Sequence, residues 1–250
     1  MLKKLLVLCI AFITVTSASL YACFDTYLFL NNYSMVYPQK QMVVENLSEY
    51  SFNSMTNPDD DTFLSDFNAY YGLFERFSIQ LGLSSSEKPR NEFKIDEYGI
   101  KGVLNVLNTK PLHSVDMYTL DIILAHRSDF EGHESAIEFS VPNIFYKKEN
   151  ILVVHPVFEA NISHGSEYSI GGHLGLFHSF YNSTLIGIGA EYSSAQNGST
   201  FNKRLVEGES AASLFLGAKL GKIFYLQNEF AKGLANSRDL GFASTIKLIF

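Results

Sequence analysis

From residue 42 to its end the chain is written in short stretches of alternating apolar and polar side chains. Phe77, Ile79, Leu81 and Leu83 fall on one face, and Ser78, Gln80 and Gly82 on the other. Tyr118, Leu120, Ile122 and Leu124 oppose Thr119, Asp121 and Arg127, with Ile123 as the exception. The same holds for Ile137, Phe139 and Val141 against Glu138 and Ser140, and for Leu152, Val154, Phe158, Ala160 and Ile162 against His155, Glu159, Asn161 and Ser163. Ile186, Ile188, Ala190 and Tyr192 likewise oppose Gly187, Gly189, Glu191 and Ser193. Successive side chains of a strand leave opposite faces, so a period of two predicts half-buried strands. Turn clusters divide the chain into twelve of them, at 42–53, 63–73, 76–85, 93–107, 116–127, 134–145, 151–163, 167–180, 183–195, 209–221, 223–232 and 239–250. The first is weakly patterned and the eleventh irregular around Gln227 to Glu229, so ten or fourteen strands are also compatible.

The final stretch, Phe242-Ala-Ser-Thr-Ile-Lys-Leu-Ile-Phe250, alternates without a turn residue and stops on an aromatic. It resembles the C-terminal strand of Gram-negative outer-membrane β-barrels. That resemblance implies an all-β, single closed antiparallel transmembrane barrel, with Phe250 as part of an assembly signal read by the barrel-assembly machinery. The opposite end fits export. Met1-Leu2-Lys3-Lys4 is a basic n-region, Leu5 to Val15 is apolar but too short to span a bilayer, and Thr16 to Ser19 are small. Residues 1–19 therefore read as a signal peptide. A second cleavage position, before Cys23 in Leu20-Tyr21-Ala22-Cys23, would extend it to 22 and make Cys23 a lipidation site. Residues 20–41 form an N-terminal segment placed either in the periplasm or in the lumen, and 42–250 form the barrel.

Charge and cysteine content exclude several classes. With Cys9 in the signal, only Cys23 remains, and no internal disulfide can close. Without Lys3 and Lys4, 17 basic residues stand against 26 acidic ones, a net charge of −9, which argues against nucleic acid. After the signal no apolar run is long enough for a membrane helix, so a chain that meets lipid must do so as a closed barrel. The alternative for such strands is a soluble periplasmic β-sandwich.

Parity separates the two. Counted from a periplasmic N-terminus, the inside turns fall near Phe74-Glu75, Asn108 to Val115, Tyr146 to Asn150, Tyr181-Asn182 and Gly221-Lys222. Four are flanked by aromatics: Phe74 and Phe77, Phe145 and Tyr146, Phe180 and Tyr181, Phe224 and Tyr225. Clustering at alternate turns predicts an interfacial girdle in contact with outer-membrane lipids. The outside loops are short, and Asp59-Asp60-Asp61 in the first reads as a solvated turn, with a divalent cation as the alternative.

Candidate chemistry is sparse. No metal-ligand spacing, phosphate loop or GxSxG stands out, so neither metal nor cofactor is expected. Gly171-Gly172-His173-Leu174-Gly175 lies within a strand and relieves crowding in a curved wall. His126-Arg127-Ser128-Asp129 and His133-Glu134-Ser135 each place His and Ser on one strand face, at the lipid side of the outer rim. These pairs are similar to the H-x-S-N motif of outer-membrane phospholipase A and the lipid A deacylases, with Asp129 in place of Asn. Asp129 or Glu134 would have to orient the histidine; the other reading is a set of rim residues at a lipid–water boundary. The lumen face would present Asp66, Arg76, Glu97, Lys101, Asp121, Arg127, Glu138, Glu159, His173, Glu191, Lys219, Glu229 and Lys247. These are either a salt-bridged fill or a filter, since twelve strands lie between a filled and a conducting barrel. The leading expectation is a non-enzymatic barrel, a narrow porin-like channel for small solutes or a structural barrel. An acyl hydrolase is the alternative.

Overall fold

A computed structural model describes residues 24–52, 62–88, 92–110, 115–131, 134–163, 167–194, 209–235 and 240–250. Cys23, Asp59 to Asp61 and His133 lie outside the described residues. Thirteen strand segments form one antiparallel sheet that closes on itself. They are β1 (Met42–Phe52), β2 (Thr62–Phe74), β3 (Phe77–Lys88), β4 (Glu92–Thr109), β5 (Met117–Asp129), β6 (Ser135–Ser140), β7 (Asn143–Lys147), β8 (Asn150–Asn161), β9 (Glu167–Phe180), β10 (Thr184–Ser193), β11 (Glu209–Leu220), β12 (Phe224–Ala235) and β13 (Leu240–Ile249).

The wall nonetheless has twelve staves, because β6 and β7 are halves of one. Both pair with β5 on one side and β8 on the other. The break is Val141-Pro142, where proline has no N–H to give to a ladder. Its carbonyl still serves the wall, accepting from Asp121 N at 3.0 Å, while Val141 N donates to the Pro156 carbonyl at 3.1 Å. Closure is made by β1 on β13, in unbroken register from Val43↔Ile249 to Phe52↔Leu240.

One face of each stave is an exposed apolar band. Leu81, Ile100, Leu124, Ile170, Leu174, Leu176 and Ile188 are each at least half exposed. A continuous exposed belt of this kind around a closed sheet is what lipid covers and water would not tolerate. Aromatics mark both of its edges. At the short-turn end stand Phe74, Phe180, Tyr181 and Phe250, and Tyr118 stacks on Phe145 at 4.9 Å. At the other end, Tyr98 meets Phe130, Phe158 meets Tyr168 and Phe230 meets Phe242, at 5.3, 6.3 and 5.1 Å between ring centroids. Tyr181 and Asn182 both have positive φ, 52° and 53°, which suits a tight hairpin turn matched to the strand twist.

The girdle reading needs one correction. Tyr146 and Tyr225 are buried inside the barrel. Neighbouring residues on a strand point to opposite faces, so the pairs Phe145/Tyr146 and Phe224/Tyr225 each send the tyrosine into the lumen, whereas Phe180/Tyr181, at a strand end and its turn, keeps both rings exposed.

The inward rings meet the residues that precede β1. Phe24 to Gln41 enter the lumen from the short-turn end and contain a six-residue helix, α1 (Thr26–Asn31). Asp25 caps it, accepting from Tyr27 N at 3.1 Å and Leu28 N at 3.4 Å. Phe24, Tyr27, Leu28, Phe29, Met35, Val36 and Tyr37 supply much of the buried apolar core.

Two observations in detergent check the closed barrel: circular dichroism dominated by strand, and a gel mobility that shifts when the sample is boiled first. A product that stays monomeric and folded without detergent would contradict it.

Candidate functional site

The lumen is divided into a packed half at the short turns and an open half towards the longer connections. The packed half is built around the N-terminal segment. Phe24 sits edge-on to Phe177 and Phe215, with centroids at 5.2 and 5.6 Å, and Tyr27 meets Tyr225 at 5.4 Å. Glycines on three neighbouring staves make the room. A Cβ on Gly175 or Gly189 would come within 2.9 or 3.2 Å of the Phe24 ring, and one on Gly217 within 2.8 Å of Thr26 Oγ1. Each fully buried ring contributes about 1.5–3 kcal/mol of burial free energy.

Polar contacts fix the segment in depth and rotation. Thr26 N donates to Gln227 Oε1 at 3.1 Å, and Gln227 Nε2 returns a bond to the Phe24 carbonyl at 3.1 Å. Asp121 accepts from Ser34 Oγ, Met35 N and Asn105 Nδ2, at 2.9, 2.6 and 2.7 Å. Tyr146 donates to the Asn32 carbonyl at 3.1 Å and Lys219 Nζ to Asn31 Oδ1 at 2.8 Å. At the centre, Lys247 from β13 is almost fully buried. Its ammonium donates to Asp25 Oδ2 at 2.8 Å and Tyr37 Oη at 3.0 Å, and pairs with Glu45 Oε2 at 2.5 Å. All three of its donors are used, which is what a buried ammonium requires. Burial, with the Asp25 carboxylate beside it, holds the Tyr37 phenol well above its ordinary range, so it donates to Asp25 and stays neutral.

The open half contains two adjoining cavities of about 210 and 150 Å³ that share Tyr70, Gln80, Lys101 and Arg127. The larger rests on the inserted segment, with Leu28 and Met35 in its floor. A row of register partners brings its charges together: Gln80↔Lys101, Lys101↔Ala125, Ala125↔Glu138 and Glu138↔Glu159 cross β3, β4, β5, β6 and β8 in turn. Arg127, one residue pair along β5, lies opposite Gly99, whose missing side chain leaves it space. Among the described residues, Lys101, Arg127 and Glu138 form no ion pair. His155 lines the same cavity, is 6% exposed, and neither ring nitrogen has a hydrogen-bond partner.

The residues expected on the lumen face thus separate by depth. Asp66, Glu97, Lys101, Arg127, Glu138, Glu159 and His173 border the two cavities. His173 Nδ1 stands 3.3 Å from Glu191 Oε2, and Glu229 is buried. Asp121, Lys219 and Lys247 are instead spent on the inserted segment. Arg76 is not on the lumen wall. It lies exposed in the turn between Phe74 and Phe77, where strand alternation has ended. Glu45 and Glu49 are further lumen groups, and His155, on the polar face of its strand, joins them; alternation with Val44, Asn46 and Val154 carries that signal.

The His/Ser pairs resolve differently from their sequence spacing. His126 Nε2 lies 2.9 Å from Ser135 Oγ, across the β5–β6 ladder. Ser128 Oγ turns to the Asp129 and Glu134 carbonyls instead, at 3.1 and 3.2 Å. Asp129 Oδ1 accepts from the Glu134 amide at 3.2 Å, and among the described residues no carboxylate bonds to the His126 ring.

No family model matches the chain, and no curated protein sequence matches it. Solved structures do. It is similar to an outer-membrane channel of Pseudomonas putida F1, described as COG4313, with a TM-score of 0.62, 10% identity, and 88% of this chain and 98% of that one covered. It is similar to the KdgM porin at 0.56 and 11% identity, covering 83% and 99%, and to the NanC porin at 0.56 and 9%, covering 82% and 98%. At these identities the likeness is one of fold, and the fold is that of Gram-negative outer-membrane β-barrels.

Lys247→Met is expected to remove the cation between Asp25 and Glu45 and to cost about 3–5 kcal/mol, the range for a broken buried pair. A lower denaturation midpoint, followed by strand circular dichroism in micelles, checks this; an unchanged midpoint contradicts the central role of Lys247.

Proposed function

We propose that this chain is a narrow outer-membrane pore for small polar solutes, without catalysis, held shut in the described conformation by residues 24–37. The observation that carries this reading is the mixed charge of the open half, where Lys101, Arg127 and Glu138 form no ion pair among the described residues. A barrel that served only as a structural wall would gain by closing contact ion pairs among Lys101, Arg127 and Glu138 or by replacing them, because buried charges without direct partners are costly. Besides Asp25 and Glu45, which Lys247 pairs, four carboxylates (Asp66, Glu97, Glu138 and Glu159) and two cations (Lys101 and Arg127) line the two cavities among the described residues. Such a lining favours cations over anions. Signal-directed export and insertion by the barrel-assembly machinery through Phe250 complete the reading, with the short turns in the periplasm and outer-membrane lipids around the wall.

Planar-bilayer recording tests it. The whole mature protein should show rare or small conductance steps, and a variant lacking residues 24–37 larger and more frequent ones. In a salt gradient the reversal potential should favour potassium over chloride. Silence from both proteins at all voltages would reject the pore.

One contact favours a second reading, an outer-membrane acyl hydrolase. The His126–Ser135 hydrogen bond is the nucleophile–base contact that ester cleavage needs, and it lies on the lipid-facing side beside Ile137. An orienting acid and an oxyanion donor would also be required. If this reading holds, purified protein releases fatty acid from phospholipid and Ser135→Ala abolishes the release. No release, with or without calcium, rejects it.

A further inference from the structure

We propose that the larger cavity is a binding site for a small zwitterion, a solute of amino-acid size with one carboxylate and one protonated amine. This rests on reading the lumen as a solute path and names what the path takes.

The charged groups of the cavity are of both kinds and, although Glu138 is near enough to act on both cations, they make no ion-pair contact. Lys101 and Arg127 project from β4 and β5 with no carboxylate in ion-pair contact, and each has several N–H donors to give. A carboxylate between them would accept from both, and a guanidinium offers it a two-pronged fit. Farther round the same register row stands Glu138, whose one described side-chain contact is a long 3.4 Å bond from Ser140 Oγ. It is placed to accept from an ammonium. His155 and Gln80 add further unmet groups, since neither nitrogen of His155 and not the Gln80 Oε1 has a partner. A buried polar atom without a partner costs about 1–3 kcal/mol, so a ligand that supplies the missing bonds gains what the empty site forgoes.

Net charge selects among ligands that would satisfy only part of this. A simple anion meets Lys101 and Arg127 but pays to enter a lumen lined mainly by carboxylates. A simple cation meets Glu138 but sits beside two fixed positive charges. A neutral polyol meets the orphan hydrogen-bonding groups and neither charge. A zwitterion satisfies both charged sides at no net charge. The cavity's roughly 210 Å³ suits a molecule of that size, and its floor of Leu28 and Met35 offers a small apolar side chain a place to rest.

The test is calorimetric titration of the whole mature protein in detergent with four matched probes: L-serine, ethanolamine, glycerate and glycerol. Serine is expected to bind at least about tenfold tighter than each of the other three, a difference of about 1.4 kcal/mol. Arg127→Gln should erase the gap between serine and ethanolamine, and Glu138→Gln the gap between serine and glycerate. Each variant is first shown to keep the boiling-dependent gel shift, and Lys101→Arg, which keeps the charge, should retain serine binding. Serine binding no tighter than glycerol, or indifferent to both charge changes, overturns the proposal. Because binding is read without transport, a pore that conducts but shows no serine preference refutes the ligand class alone. Serine binding in a protein that never conducts refutes the pore alone.

Discussion

In hydrocarbon a backbone amide has no water to turn to, so the whole wall depends on the pairing of its first and last staves. The β1–β13 ladder removes the only edges that a sheet of this length would otherwise expose. Everything else is a consequence of that closure. A ring of twelve tilted strands encloses more space than its own inward side chains fill. The chain then has to line that space with polar groups, fill it with something else, or do both.

It does both, at different depths. At the short turns, a fourteen-residue piece of the same chain (24–37) supplies the rings that the wall leaves room for, and glycines on β9, β10 and β11 stand where the piece comes closest. Towards the other end, the wall switches to charged and hydroxyl-bearing residues around two cavities. The two regimes meet at Asp25 and Tyr37, which bind Lys247 from the packed side and border the larger cavity from the other. An event in the cavity is therefore one shell of side chains away from the ion pair that holds the segment.

The wall was legible in the sequence because lipid on one side and lumen on the other enforce alternation at nearly every position. Even the broken stave at Val141-Pro142 kept its phase, so it read as one strand. For the inserted segment the sequence leaves lumen and periplasm as equal alternatives. Tyr27-Leu28-Phe29-Leu30 is an apolar run with no periodic partner, and the residues that receive it are scattered over β9 to β13. Tyr225 and Tyr146 carried the signal, since a consecutive aromatic pair cannot send both rings to one face. Arg76 falls outside the lumen because alternation ends one residue short of it, where β3 begins at Phe77. The His126–Ser135 contact was hidden for the opposite reason: the sequence paired each histidine with the serine two residues along its own strand, whereas the ladder brings together residues from two strands.

Lys247 joins residues 222 positions apart when it binds Asp25, which gives this ion pair a role in time as well as in space. Contacts of such separation close late, after the loop-closure entropy of the whole barrel has been met. The helix can nestle against β9 to β11 earlier, but its central tether arrives only with the final strand. An incomplete barrel therefore also lacks this tether, and the segment gains it in the same step that makes the wall continuous. If the barrel is the pore proposed above, the order of assembly itself acts as a safeguard against leakage during biogenesis: the chain closes its cylinder at the moment it acquires the means to shut it.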